Sequence, residues 1–509
     1  MTLKIRTGPA ERWLVLLSVC LAAMTMPLTF TGPAVALSRI AANLGGSPIE
    51  LNWVTNAFML TFGASLMAAG ALADNHGRKR IFLAGLGLYV LASLGAMLAP
   101  DIVWFDTFRA AQGIGSSLAF AGGASALAQE FEGPLRLRAF SFLGTSFGIG
   151  LAFGPIASGL LISAFGWRSI FVLVAALAIA SAGLGLRTIK ESRDPDATGL
   201  DWPGAGTFTI ALASLTYGVL QAPQSGWADP LVVTLLGAAA ICFVAFVVVE
   251  RRARRPMLDL TLFAYPRFVG VQFLAAAPAY AFVVLLVLLP IRFIGIEGMS
   301  EIRAGQLMIC LSGPLLILPL LAGQLARWIA PATICGVGLL IAAAGLVWLS
   351  RTPVDAALVA PLMLIGVGIA LPWGLMDGLA VSVVPRERAG MAVGIFNTTR
   401  VACEGVAVAI VMATLSGFTA TQLATQGASP RDAAAAAQLL VTGTVGETVQ
   451  HLPTAGVAVL VQAYETAFDR LLIVLAAITI VTALVVFLGL RRGSATEHDA
   501  VPLPACQEG

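Results

Sequence analysis

Glu404 is the side chain in this sequence with the most chemistry open to it. It stands inside an apolar run near 389–414, four residues after Arg400 and seven after Asn397. Helical spacing puts those three on one face. Burial favours a neutral carboxyl and a neighbouring guanidinium favours the anion, so an acid held between the two can take and release a proton. The other reading is an Arg–Glu pair that only holds helices together. Asp377, in a run near 356–384, is a second such acid, with an ion pair near the membrane edge as the alternative. Pro372 and Gly374 nearby would loosen a helix. Trp373, four residues before Asp377, would then line a cavity and stack on a flat or cationic molecule, or else pack as core. Arg109, followed by Gln112, Gly113 and Gly115, lies in another apolar run. An arginine in hydrocarbon costs at least ~2.5 kcal/mol, so it must face a partner or a wet cavity. A structural pair with Asp106 would satisfy it too.

Helices in lipid must position these groups. Of 509 residues, 58% are hydrophobic and only 11% charged, with a mean hydropathy of +0.90. Soluble domains carry about 25% charge. A spanning helix needs roughly 20 mostly apolar residues, and fourteen such runs lie near 13–37, 51–73, 81–99, 104–128, 140–164, 169–187, 203–221, 229–249, 268–290, 304–326, 331–349, 356–384, 389–414 and 467–490. Gly456–Val461 is too short to cross and is read as part of a long outer loop 415–466, with a surface helix over Ala433–Leu440. With the N-terminus inside, 21 of the 30 Lys and Arg fall in inside segments, 7 outside and 2 within spans. That bias places both termini in the cytoplasm. Trp13, Trp104, Trp167, Trp202, Trp227 and Trp348 fall at span ends, as interfacial anchors would. Lys4, Arg6, Arg12 and the following apolar run up to Ala34-Val35-Ala36 have the order of a cleaved signal. The run is too long for one, and its loss would leave an odd number of spans.

The same composition excludes other classes. Six cysteines are scattered singly and the three histidines lie outside the apolar runs, so neither a disulfide framework nor a metal site is expected. A net charge of +3 gives no reason to expect a nucleic-acid partner. No phosphate-binding GxxxxGK[ST] occurs, and no soluble domain of 50 residues or more lies outside the spans to act as a sensor or catalytic domain.

Two further motifs carry mechanism. Gly70, Asp74, Gly77, Arg78 and Lys79 follow the second run. Gly77 permits a tight turn. Asp74 can accept charge-assisted hydrogen bonds, and the bases would hold the cytoplasmic face closed; a merely topogenic basic loop is the alternative. In the fifth run, Gly150, Gly154, Pro155 and Gly159 combine a close-packing stripe with a bend. Alone, that pattern is usually packing.

Together with Trp167-Arg168-Ser169-Ile170-Phe171, Asp201-Trp202-Pro203-Gly204, Gly226-Trp227, the segment from Glu250 through Pro256 to Phe263 and Phe268, and Gly390, Gly394, Asn397, Arg400 and Gly405, these motifs resemble the fourteen-span drug:proton antiporter branch of the major facilitator superfamily over essentially the whole chain. The resemblance implies an all-α membrane protein of two six-helix bundles plus two additional helices, working by alternating access. Its implied parts are a bundle over 1–190, two linker helices in 191–260, a second bundle over 261–490 and a cytoplasmic tail over 491–509. It implies a plasma-membrane exporter of amphipathic small molecules (drugs, natural products or siderophores) with no cofactor beyond a proton gradient. Uptake of a metabolite on the same fold is the alternative. A monomer is expected, and a periplasmic adaptor is compatible with the sequence. The implied roles are proton coupling for Glu404, Asp377, Arg109 and Arg400, a conformational latch for the Gly70–Lys79 set, and the antiporter motif for the Gly150–Gly159 set. Thr29, Gln112, Gln272, Trp373 and Asn397 are substrate-contact candidates. One departure matters. The first span of the branch often carries an acid where this chain has Thr29. With so few deep acids, a neutral or anionic substrate fits at least as well as a quaternary drug, and a dication fits poorly.

Overall fold

The computed structural model describes residues 9–131, 133–193, 201–253, 258, 260–353, 358–383, 389–452 and 456–491. In order come α1 (Pro9–Leu44), α2 (Pro48–His76), α3 (Arg78–Leu98), α4 (Ile102–Glu130), α5 (Gly133–Phe165), α6 (Ser169–Thr188), α7 (Trp202–Ser225) and α8 (Pro230–Arg252). A ninth crossing is built from α9 (Pro266–Pro278) and α10 (Val284–Pro290), each followed by a π-helical turn. The tenth comprises α11 (Glu301–Ser312) and α12 (Leu318–Leu325). Then follow α13 (Pro331–Leu349), α14 (Val359–Ser382), α15 (Ala389–Thr425), two short helices α16 (Pro430–Val441) and α17 (Val445–His451), and α18 (Val457–Arg491).

Fourteen elements therefore cross, and an even number returns the chain to its starting face. That face is termed the terminal face and its opposite the outer face. Thirteen crossings are long and apolar enough to span a bilayer by composition. The fourteenth, α4, has 29 residues, and its Asp106, Arg109 and many glycines and serines lower its hydropathy. Caps set several boundaries. Ser47 opens α2 in a reciprocal capping box with Glu50, while Asp101, Asp201, Asp229 and Ser300 cap α4, α7, α8 and α11. The π-turns of the ninth crossing follow Pro278 and Pro290, which supply no amide hydrogen to the helical ladder.

Helices α1–α6 pack together as one bundle, and α9–α15 with α18 as a second. Between the bundles, α5 lies on α11 and α2 on α15. The α7–α8 pair sits against both α2 and α15. The described contacts between bundles run from mid-membrane to the outer face. Gly63 and Gly405 seat α2 against α15 at mid-height. Gly159 and Gly305 seat α5 against α11, and Arg39 Nε pairs with Glu301 Oε1 at 2.6 Å.

Three features differ from the sequence reading. Helix α15 continues to Thr425 and α18 begins at Val457, so the outer loop covers only 426–456, and Gly456–Val461 leads into a 35-residue helix. The expected surface helix forms as α16, but its Ala433, Ala436, Ala437 and Leu440 are buried. Trp167 is not an interfacial anchor: it is buried edge-on against Phe105 and Phe171, with the Arg168 guanidinium 4.3 Å from its ring centroid.

Candidate functional site

In the first bundle, the expected arginine sits at the centre of a continuous polar chain. Arg109 is fully buried. Its Nε donates to Val54 O at 2.8 Å and its Nη1 to Gln112 Oε1 at 2.8 Å. Gln112 Nε2 in turn donates to Ser93 Oγ at 2.8 Å, and Ser93 Oγ donates to Tyr89 O at 2.7 Å. The Tyr89 hydroxyl is hydrogen-bonded to Thr29, whose own hydroxyl reaches Thr25 O at 2.6 Å. The Arg109 guanidinium carbon lies 4.9 Å from the Phe58 ring centroid. Thus Thr29, in α1, is joined through α3 to Arg109 in α4. Neither of these hydrogen bonds of Arg109 goes to Asp106, so the two act on one another by charge alone, one turn apart. Arg109 Nη2 and Asp106 Oδ1 are both sealed from solvent without a hydrogen-bond partner.

In the second bundle, Arg400 and Glu404 are both buried one turn apart on α15. The Arg400 guanidinium carbon lies 5.7 Å from the Trp373 ring centroid and 5.8 Å from that of Phe396. Trp373 is buried in this conformation and meets Phe282 edge-on at 6.3 Å. Helix α14 runs unbroken through Pro372, and Gly374 admits the backbone of Pro319 on α12. The glycine therefore serves close packing where loosening was expected. Asp377 belongs to α14, but its side chain lies outside the described residues. Asn397 is half-buried on α15. Gln272 on α9 is buried, and neither end of its amide has a partner. A buried amide without partners is costly, by about 1–3 kcal/mol. It is also a ready contact for a polar group of a bound molecule.

The glycine–proline stripe of α5 faces two ways. A methyl group at Gly150 would sit 2.5 Å from Pro27 Cγ, and one at Gly154 2.6 Å from Thr31 Oγ1, both within the first bundle. At Gly159 it would sit 2.5 Å from the carbonyl oxygen of Glu301, on the second bundle. Pro155 lies inside the helix between them.

The Gly70–Lys79 set closes on its own bundle. Gly77 has φ 111°, a left-handed backbone that suits glycine. Arg78 Nη2 pairs with Asp74 Oδ1 at 3.1 Å, and Lys79 Nζ donates to Leu186 O at 2.7 Å. Glu191 accepts from the Lys79 amide at 3.2 Å and pairs with Arg80 at 3.5 Å. Gly70 has open space around it. This clasp joins α2, α3 and the end of α6, and its described contacts do not reach the second bundle.

Sequence reasoning missed Tyr89, Ser93 and the buried pair at the outer end of the ninth crossing. There Arg292 Nε bonds Glu297 Oε1 at 2.6 Å, and its guanidinium carbon lies 4.7 Å from the Phe468 ring centroid. Arg292 is one of the seven basic residues that the sequence places in outside segments. The apolar residues flanking it and Pro290 just before it were the available signal. Burial, outweighing the guanidinium beside it, holds the Glu297 carboxyl above the usual carboxylate range. No cluster of metal-ligating side chains occurs among the described residues.

The fold has close counterparts. The chain is similar to a bacterial homologue of the human lysosomal transporter Spinster in an inward-facing, unoccupied conformation, with TM-score 0.65 and 16% identity over 95% of this chain and 98% of that one. By sequence it is similar to the puromycin resistance protein pur8 of Streptomyces alboniger, 34% identical over 436 residues, covering 83% of this chain and 86% of the relative. It is also similar to the multidrug resistance protein Stp of Mycobacterium tuberculosis, 30% identical over 393 residues, covering 76% and 73%. The cephamycin export protein CmcT of Amycolatopsis lactamdurans is 32% identical over 405 residues, covering 78% and 83%. Residues 17–408 match the sequence profile of the Major Facilitator Superfamily. With fourteen crossings arranged as two six-helix bundles and an intervening pair, the chain belongs to the Major Facilitator Superfamily.

Proposed function

We propose that this transporter is a proton-driven exporter of amphipathic small molecules in a bacterial plasma membrane. Both termini face the cytoplasm, as the 21-to-7 distribution of basic residues supports. The observation that carries the reading is the split stripe of α5: Gly150 and Gly154 fix it to α1, while Gly159 forms a backbone-to-backbone seal with α11 at the outer face. That seal must part each time the outer face opens, so α5 links packing within one bundle to the choice of open face. Relatives named for puromycin resistance and cephamycin export favour outward transport over uptake. The described contacts between bundles, which run from mid-membrane to the outer face, fit a resting state open to the cytoplasm, ready to load.

Glu404 and Asp377 carry the coupling proton in the second bundle, with Arg400 tuning Glu404 from one turn away. Arg109 supports coupling from the first bundle. Trp373, Gln272 and Asn397 contact substrate from the second bundle, and Gln112 and Thr29 shape the wall of the first. The fully buried Arg109 Nη2, without a partner, suits a substrate carbonyl or anionic oxygen and repels a dication. The Gly70–Lys79 clasp reaches across to the second bundle only when the cytoplasmic face closes. The protein works as a monomer built from a bundle over 1–190, linker helices in 191–260 and a bundle over 261–490, with a tail beyond.

Proton movement in everted vesicles tests this reading. An acid interior is imposed, a pH dye reports it, and dyes, antibiotics and siderophore-like compounds are added to wild type and Glu404→Gln. Collapse of the gradient by a neutral or anionic compound, lost in the variant, is expected. A preference for dications, or collapse undiminished in the variant, would refute respectively the substrate class and the role of Glu404.

A further inference from the structure

We propose that Asp106 is the proton-carrying acid of the first bundle, replacing the carboxylate that α1 lacks at Thr29. This rests on the proton-coupled reading above. Thr29 itself cannot serve: it has no titratable group, and its hydroxyl is engaged by Tyr89 and Thr25 O. Asp106 lies one turn before Arg109 on α4, so both side chains point along the same seam. In this conformation the two are left unsatisfied together, Asp106 at Oδ1 and Arg109 at Nη2. A buried carboxylate oxygen and a buried guanidinium N–H, each without a hydrogen bond and separated by one turn, form a pair whose balance changes when a proton arrives.

The seam has the polarity such a role needs. It begins at the outer face, where Glu50 caps α2. It continues past Asp106 and Arg109 to Thr61, which donates to Ala110 O at 2.8 Å, and then to Ser65 and Ser117, joined at 2.7 Å. A hydroxyl-lined contact between α2 and α4 thus leads from the outer mouth to mid-membrane. The charged or titratable groups facing Asp106 are Arg109 on its own helix and Glu50 on α2, with Tyr89 on α3 acting on Arg109. Among the described residues, α1 and α5 bring no titratable group to it.

The step is a simple proton transfer. With the outer face open, hydronium gives a proton to Asp106 Oδ1, an O–H bond forms, and water is left. The carboxylate charge that balanced Arg109 is gone. Arg109 then seeks another anionic or carbonyl oxygen, and the outer face closes over the neutral acid. On the cytoplasmic side the O–H bond breaks and the proton leaves to water, restoring the pair. Asp106 thereby sets the conformational equilibrium by its own protonation.

Full-length protein, reconstituted in vesicles, with cysteines removed and spin labels at positions 42 and 303 on the outer ends of α1 and α11, reads this directly without any substrate. Wild type is expected to shift its label-to-label distance distribution with pH. Asp106→Asn is expected to hold one distribution across the range, and Asp106→Glu to move the midpoint up by roughly 0.4 pH unit, the ordinary difference between the two acids. A wild-type shift retained in Asp106→Asn with the same midpoint would overturn this proposal and leave proton coupling intact. Absence of any pH response in wild type would overturn the coupling reading itself. If Asp106→Asn fails to fold, Asp106→Glu decides alone, an unmoved midpoint counting against the assignment.

Discussion

Substituting Gly159 by alanine should push the resting transporter towards its outward-open state. The new methyl carbon would sit 2.5 Å from the Glu301 carbonyl oxygen, where ordinary contact begins at 3.4 Å. The obstacle is backbone, so no side chain can rotate away, and the two bundles must part by roughly 0.9 Å at their outer ends. Overpacking of this kind costs about 1–3 kcal/mol. Because it falls only on the outer-closed state, it becomes a population shift of about 5- to 150-fold. Gly150→Ala is the control. Its methyl would strike Pro27 and Met24 within the same bundle, so it should lower the melting temperature without favouring either face. Pulsed electron–electron distances between labels at positions 42 and 303 read the shift. An unchanged distribution in Gly159→Ala, or an equal shift in Gly150→Ala, would refute the division of labour along α5.

Two other perturbations follow from buried charge and backbone shape. Arg292→Met leaves Glu297 buried without its cation and should cost about 3–5 kcal/mol, seen as a lower melting temperature in detergent and largely recovered by adding Glu297→Gln. Burial holds the Glu297 carboxyl above its ordinary 4.5, so its contribution to stability is full below pH ~4.5 and is lost as pH rises through the higher folded-state value; Glu297→Gln should flatten that part of the melting profile. Gly77→Ala, at φ 111°, forces a left-handed alanine and brings its methyl within 2.5 Å of Glu191 Oε1. A loss of about 1–2 kcal/mol and faster proteolysis at the terminal face are the expected readouts.

The crossings were legible because a bilayer admits only helices of a set length, so apolar runs mark them. The start of α18 was not. Beyond Gly456–Val461 come Gln462, Glu465, Thr466, Asp469 and Arg470, a polar stretch that reads as loop. In the fold Phe468 covers Arg292, and Glu465 and Asp469 stand close enough to act on the Arg292–Glu297 pair. The Arg109–Gln112 pair was legible because helical spacing fixes it. Its continuation to Thr29 was not, because Tyr89 and Thr29 are brought together only by tertiary packing, with α4 and α6 holding α3 beside α1. Sequence spacing likewise suggested that Gly374 loosens α14. Which neighbour needs the missing side chain, here Pro319, is a tertiary fact.

Helix α16 changes how the intervening pair can move. It packs against α15, α18 and α7 together, and Val219 and Leu220 of α7 form a small core with Ala409 and Ala413 of α15. On the other side, α7 lies along α2, where Trp53 packs on the same small core and meets Tyr217 edge-on at 5.9 Å between ring centroids. The outer loop therefore acts as a strap that moors α7 and α8 to the second bundle. With α2 on its other wall, α7 stands between the two bundles, and the loop adds a tether on one side only.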